Sequence, residues 1–380
     1  MRTLDDVDFS NKTVLVQSNL DVPLHEGTIT DDSRLQESTQ TIHELIRKNC
    51  RVILVGHLGR PKGKKNPDLS LRIVAQHLKK ILPYEITFLE ELDGQAIRNT
   101  PQPGVVVLEN IRMWPEEEAV DEEFAKRIAT LADAFVNDDY IDAHRNGAVN
   151  NHLPKLLPSA VGRTLYKEYQ LVQQAIHSPK RPLTIIIGGA KKDKIAVVES
   201  ALEIADNVIV AGVLANTFLA ALGTSVQNST HDETQLEQAR KLYASKKIHV
   251  PKDCLAAEEK KAGAKTITCY VQDIPEGYTI MDVGPQTLQE YKELLLTSGT
   301  IIWGGPVGVF EIPAFAHGTE EVAHTIGKSH AYSIVAGGDS GAALHSLGLE
   351  DCVGHISIGG GATLHLISGK RLPAIEVFNQ

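Results

Sequence analysis

The chain predicts an α/β protein: two doubly wound parallel-sheet domains joined by a connecting helix, bilobal with a cleft between the lobes. Three observations carry this. Short apolar runs, too short for helices, alternate with helical patterns along all 380 residues, which is the signature of βαβ units with helices on both sheet faces. Four glycine clusters in the second half sit at the end of such a run or just beyond it: 188–191, 304–308, 336–341 and 359–363. Arginines and histidines follow the runs of the first half, in a chain whose net charge is −10.

The elements follow in order. Residues 13–16, 52–55, 105–108 and 134–136 are rich in β-branched side chains and read as strands buried on both faces. Between them, residues 71–82 place Ile73, Val74, His77, Leu78 and Ile81 on one helical face, with Ser70 as the N-cap. Residues 164–177 form a helical stretch that ends at Ser178-Pro179-Lys-Arg-Pro182, where two prolines stop the helix. Strands resume at 183–187, 208–211, 300–303 and 332–335. The expected organisation is a domain over 1–160, a connector over 161–178 and a second domain over 179–364.

Composition narrows the function classes. An apolar content of 42% and a charged content of 23% are ordinary for a globular protein, and 41.4 kDa suits two domains with separate cores. The negative net charge excludes sequence-independent nucleic-acid binding and a polybasic membrane anchor. Met1-Arg-Thr-Leu-Asp-Asp lacks a signal-peptide core and no apolar stretch approaches a membrane span, so a cytoplasmic, monomeric protein acting on small molecules is expected. Cys50, Cys254, Cys269 and Cys352 form no C-x-x-C pair and read as buried thiols of a reducing compartment.

Glycine after a buried strand lets the backbone approach an anion, and a helix starting there turns its free N–H groups toward phosphate. A single cluster is no more than a tight turn. Four of them, one carrying Lys191 and one Asp339-Ser340, point to a nucleotide phosphate tail. In the first half, Arg34, His57, Arg60, Arg112, His144 and Arg145 all follow strands, at the end of an open α/β sheet where ligands bind. Together they suit a small, multiply charged anion. One anion site and one nucleotide site are what phosphoryl transfer requires, because its catalysis is positioning and charge stabilisation. Neither a Walker A motif nor G-x-G-x-x-G occurs, which disfavours a P-loop kinase or a standard NAD enzyme.

The motifs in order are Val55-Gly-His-Leu-Gly-Arg-Pro-Lys-Gly63, Leu108-Glu-Asn-Ile-Arg112, Val136-Asn-Asp138, Ala143-His-Arg145, Gly188-Gly-Ala-Lys191, Trp303-Gly-Gly-Pro-Val-Gly-Val-Phe-Glu311, Gly337-Gly-Asp339 and His355-Ile-Ser-Ile-Gly-Gly-Gly-Ala362. Almost end to end, the chain resembles the phosphoglycerate kinase family. The resemblance implies reversible transfer between 1,3-bisphosphoglycerate and MgADP, giving 3-phosphoglycerate and MgATP, with hinge closure of two domains. It also implies that residues 365–380 return to the N-terminal domain. Arg34, His57, Arg60, Arg112 and Arg145 would hold 3-phosphoglycerate, Arg34 and Lys194 would act in catalysis, and Asp339 would hold magnesium. The nucleotide would meet Gly188, Gly189, Lys191, Lys194, Gly212, Pro306, Gly308, Val309, Glu311 (at the ribose), Gly337, Gly338, Asp339 and Ser340.

The chain also departs from the family. Its first-strand motif, Arg-Val-Asp-Phe-Asn, is Gln17-Ser-Asn19-Leu-Asp21 here, so an amide stands where the substrate hydroxyl is expected to be gripped, with Asp21 on the same strand face. The lysine loop is one residue short over 188–194, the glycine triplet expected near adenine is Ala211-Gly212-Val213, and Gly304 stands in place of Asn. Two further readings stand beside the enzyme: a kinase-like binding or regulatory protein with impaired turnover, and a relative that phosphorylates another small hydroxy acid.

Overall fold

The computed structural model describes residues 1–191 and 194–379. By contacts the chain divides into one unit of residues 1–170 and 371–380 and another of residues 171–370. The division falls inside the helix Arg163–His177, so the expected connector is shared between the two units.

In the first unit six parallel strands run in the order Ile86–Leu89, Gly104–Leu108, Arg51–Val55, Thr13–Gln17, Ala134–Asn137, Ser159–Val161. Val14, Val16, Val52, Leu54, Val105 and Val107 are buried in one core with Leu35, Ile42 and Leu45 of the helix Ser33–Arg47. That is why these strands are apolar throughout rather than alternating. The helix predicted at 71–82 spans Arg72–Ile81. Leu71, not Ser70, takes the cap position, and the Ser70 Oγ accepts the Arg72 N–H at 3.2 Å. His77 is only half-buried because its Nε2 meets the Asp32 carboxylate at 2.6 Å.

In the second unit the parallel order is Ile248–His249, Asn207–Val210, Leu183–Ile187, Thr300–Gly304, Tyr332–Ala336, His355–Ser357. Numbered within this sheet the order is 3-2-1-4-5-6, which reverses between Leu183–Ile187 and Thr300–Gly304, and ligands bind at such a point. An antiparallel sheet of Thr266–Tyr270, Asp253–Ala257 and Thr279–Val283, absent from the sequence-based expectation, completes this unit.

The C-terminal segment belongs to the first unit. The Phe378 carbonyl accepts the Arg2 N–H at 3.2 Å, and the Ala374 N–H donates to the Ala143 carbonyl at 3.2 Å. All four cysteines are free thiols; Cys50 and Cys254 are buried, whereas Cys269 and Cys352 are half-buried.

Candidate active site

In the first unit the cationic side chains sit on loops after the carboxyl ends of the sheet strands. After Arg51–Val55, Gly56 passes so close to the Ser18 carbonyl that a Cβ there would lie 2.6 Å from it. This packs the His57 segment against the end of the first strand. After Gly104–Leu108, the Asn110 side chain caps the short helix Ile111–Met113 and donates to the Leu58 carbonyl at 2.7 Å, tying the Arg112 turn to the His57 loop. After Ala134–Asn137, the Asp139 carboxylate accepts the Asp142 N–H at 3.2 Å, and the Asp142 carbonyl accepts the Arg145 N–H at 2.8 Å.

These turns bring His57, Arg112 and Arg145 together on one carboxylate. Asp142, whose side chain is 7% exposed, receives Arg112 Nη2 at 2.6 Å and His57 Nε2 at 3.3 Å on Oδ2, and Arg145 Nε at 3.1 Å on Oδ1. Arg34, in the first turn of the helix Ser33–Arg47, donates to the Asp21 carbonyl, with its guanidinium 3.9 Å from the Asp21 carboxylate that His57 also approaches. Burial alone would raise the Asp21 carboxyl, but His57 at 3.7 Å, the Gly59 N–H at 2.8 Å and Arg34 hold it down at about 2. Arg60 is exposed and His144 is half-buried.

Asn19 and Asp21 do not share a strand face, because the strand stops at Gln17. They lie in the turn beyond it, where the Asn19 Oδ1 accepts the Asp21 N–H at 3.3 Å. Asn19 is buried and its Nδ2 has no protein partner, as is true of the Gln17 Oε1. The pocket lined by Gln17, His57, Arg112, Glu117, Asp142 and Arg145 measures about 40 Å³. Burial pushes the carboxyls of Glu117 up to about 7 and Asp139 up to about 6, and in Asp139 the neighbouring Asp142 charge adds to the effect. His57, Asp139 and Asp142 are close enough to share an ion, but Arg112 and Arg145 already take the Asp142 oxygens.

In the second unit the site is made of backbone. The Gly188 N–H donates to the Gly304 carbonyl at 2.8 Å and the Gly189 N–H to the Pro306 carbonyl at 2.8 Å, which zips the ends of the two switch-point strands. Gly305 has φ +94°, and a Cβ there would lie 2.2 Å from the Gly188 carbonyl. Gly212, the single glycine left of the expected triplet, has φ +57° and opens the helix Gly212–Ala221 against Gly189. The pocket beyond is about 440 Å³ and is lined by Gly189, Gly212, Pro306, Gly308, Val309 and Glu311 of the predicted set.

The remaining predicted residues lie around it. Lys194 is buried, and its ammonium donates to the Gly188 carbonyl. Lys191 is exposed, 4.0 Å from the Asp339 carboxylate, and the rest of the shortened loop, Lys192 and Asp193, lies outside the described residues. Gly338 precedes the helix Asp339–Leu347, which Asp339 begins. The buried Ser340 Oγ accepts the Gly305 N–H at 2.6 Å, so in this structure it fixes the glycine turn. The opposite wall is not among the residues expected from sequence: Asn216, Leu219 and Thr230, with Cys254, Met281 and Asp282 of the antiparallel sheet. Three consecutive β-branched residues, Thr266-Ile-Thr268, are the signal that sequence offers for that sheet.

A doubly wound unit with a cationic cradle and a second with a glycine-built pocket at its switch point have the parts of a two-domain α/β phosphotransferase. The phosphoglycerate kinase family model matches residues 4–370. The phosphoglycerate kinases of Rubrobacter xylanophilus and Moorella thermoacetica are 40% and 41% identical to this chain, with 99% and 100% of it and 97% and 99% of theirs covered. The phosphoglycerate kinase structure from Coxiella burnetii matches at a TM-score of 0.91 and 35% identity, and that from Pyrococcus horikoshii at 0.86 and 28%. Each covers 100% of this chain and 98% of its own. The chain belongs to the phosphoglycerate kinase family. No described helix is long and apolar enough to cross a membrane.

Proposed function

We propose that the chain transfers a phosphoryl group reversibly between 1,3-bisphosphoglycerate and MgADP, giving 3-phosphoglycerate and MgATP. The observation that carries this reading is the convergence of His57, Arg112 and Arg145, with Arg34 on the flank, at the strand ends of the first unit. Guanidinium forks there match the oxygens of a phosphate or carboxylate. Arg34 is the group we assign to the charge of the moving phosphoryl, because its first-turn position leaves the guanidinium partly exposed.

The glycine-built pocket suits an adenine nucleotide. Its lining offers backbone and apolar side chains for the base and Glu311 for the ribose, with Lys191 and Lys194 for the phosphates. Asp339 fits magnesium: its carboxylate is 56% exposed, and a hard cation held by one carboxylate takes its other oxygens from phosphate and water. The bound ion would neutralise phosphate charge. We infer a soluble monomer that acts on small molecules in the cytoplasm.

The test is a coupled assay with 3-phosphoglycerate and MgATP. Turnover is expected, and its absence together with retained ADP binding would favour the kinase-like binding protein.

A further inference from the structure

Three of the groups assigned to the acceptor already hold an anion that belongs to the chain. Arg112, His57 and Arg145 converge on Asp142 at 2.6, 3.3 and 3.1 Å. The loop fixes that carboxylate: the Asp142 N–H is held by Asp139, its carbonyl by the Arg145 N–H, and the next residue, Ala143, by the C-terminal segment. The cavity left beside it is about 40 Å³, a small fraction of the about 440 Å³ of the second unit's pocket. The same pocket is lined by Gln17, whose buried Oε1 lacks a protein partner and accepts only from a donor. A hydroxyl supplies that donor; a phosphate dianion does not.

We propose that Asp142 is a specificity-determining residue: an internal carboxylate that occupies the cationic cradle, so that an acceptor carrying phosphate binds only by displacing it, whereas one ending in a hydroxyl does not. The inference rests on the acceptor assignment made under the proposed function. Like charges brought to one partner set repel, and a buried carboxylate stripped of its arginines is left uncompensated. The phosphate therefore gains only the difference between its own contacts and those Asp142 gives up.

The experiment measures affinity on the full chain by calorimetry, without turnover, for wild type, Asp142→Asn and Asp142→Ser. The two ligands are 3-phosphoglycerate and glycerate, the same acid without its phosphate, with weak binding read by competition. Both variants are expected to tighten 3-phosphoglycerate at least about ten-fold, the fold-change for about 1.4 kcal/mol, and to leave glycerate within about three-fold. The two variants are of different shape, so agreement between them separates loss of charge from loss of fold; a melting scan checks the latter. Unchanged or weaker 3-phosphoglycerate binding in folded variants overturns the proposal, and so does equal tightening of both acids, which marks a general field effect. Binding in the variants alone supports it. Binding without phosphoryl transfer from MgATP would refute the proposed reaction while leaving the role of Asp142 intact.

Discussion

The cradle of the first unit is about 40 Å³ and built around arginine and acidic side chains, while the pocket of the second is about 440 Å³ and built around glycine turns with a mixed apolar and polar wall. Both suit phosphate-bearing ligands in an acidic protein, and the contrast shows two ways of doing so. Guanidinium groups need counter-ions when no ligand is bound, and here Asp142 and Asp21 supply them. Backbone N–H groups carry no net charge, so the glycine turns of the second unit need no such partners, and Lys191 beside them faces a carboxylate, that of Asp339. The first arrangement is therefore sensitive to single charges, and the second to single methyl groups.

The largest expected effect lies on the charged side. Arg34→Ala should lower kcat by roughly 10³-fold or more with a much smaller change in KM, because the guanidinium is needed chiefly as the phosphoryl charge moves. Near-normal kcat in steady-state assays would remove Arg34 from catalysis.

Gly305→Ala is the counterpart in the second unit. A positive φ and a Cβ 2.2 Å from the Gly188 carbonyl must open the junction of the two central strands. At roughly 1–3 kcal/mol for a strained backbone, ADP affinity should fall about 10- to 100-fold while 3-phosphoglycerate binding stays within about two-fold. Equal losses at both ligands in paired titrations would show that the units do not act separately.

Asp339→Asn should weaken MgADP by about ten-fold, since the amide oxygen is a poorer ligand for a hard cation, with little effect on metal-free ADP. An identical change with and without magnesium, read by calorimetry, would move the metal assignment elsewhere.

The smallest effect is on stability. Burial pushes the Asp138 carboxyl up to about 7, outweighing the N–H groups of Thr164 and Leu165 that it accepts. A carboxyl raised on folding favours the folded chain fully below its unfolded value near 4 and loses that contribution as pH rises through about 7. Glu117 in the same unit and Asp282 in the other, each pushed to about 7 by burial, add to the same slope. Asp138→Asn keeps the acceptor oxygen and removes the titration. It should flatten the fall of Tm between about pH 4 and pH 7, by roughly 2–4 °C for each kcal/mol of that contribution removed. An unchanged slope in melting scans would mean that Asp138 is ionised in the folded chain.

Eight central strands and the glycines of the second unit's pocket are legible in the sequence, because a strand buried on both faces must be apolar throughout and a close backbone approach leaves glycine as its trace. The edge strands Ile86–Leu89, Ser159–Val161 and His355–Ser357 are not, since three or four residues cannot display a period. The half-exposed sheet along the second unit's pocket leaves only the short β-branched run Thr266-Ile-Thr268 as its trace, because Thr266–Tyr270 mixes polar and apolar side chains. Asn19 and Asp21 have the spacing of strand neighbours yet lie in a turn, because sequence does not mark where a strand stops when its end meets a loop.

By itself the sequence determined which residues could bind anions and in what order the strands follow, since both depend on composition and short-range period. Only the tertiary structure decided that Arg112, His57 and Arg145, spread over 89 positions of chain, meet on the carboxylate of Asp142. Pairing of buried charge is set by distances of about 3 to 4 Å between loops on different strands, and no local pattern encodes those distances.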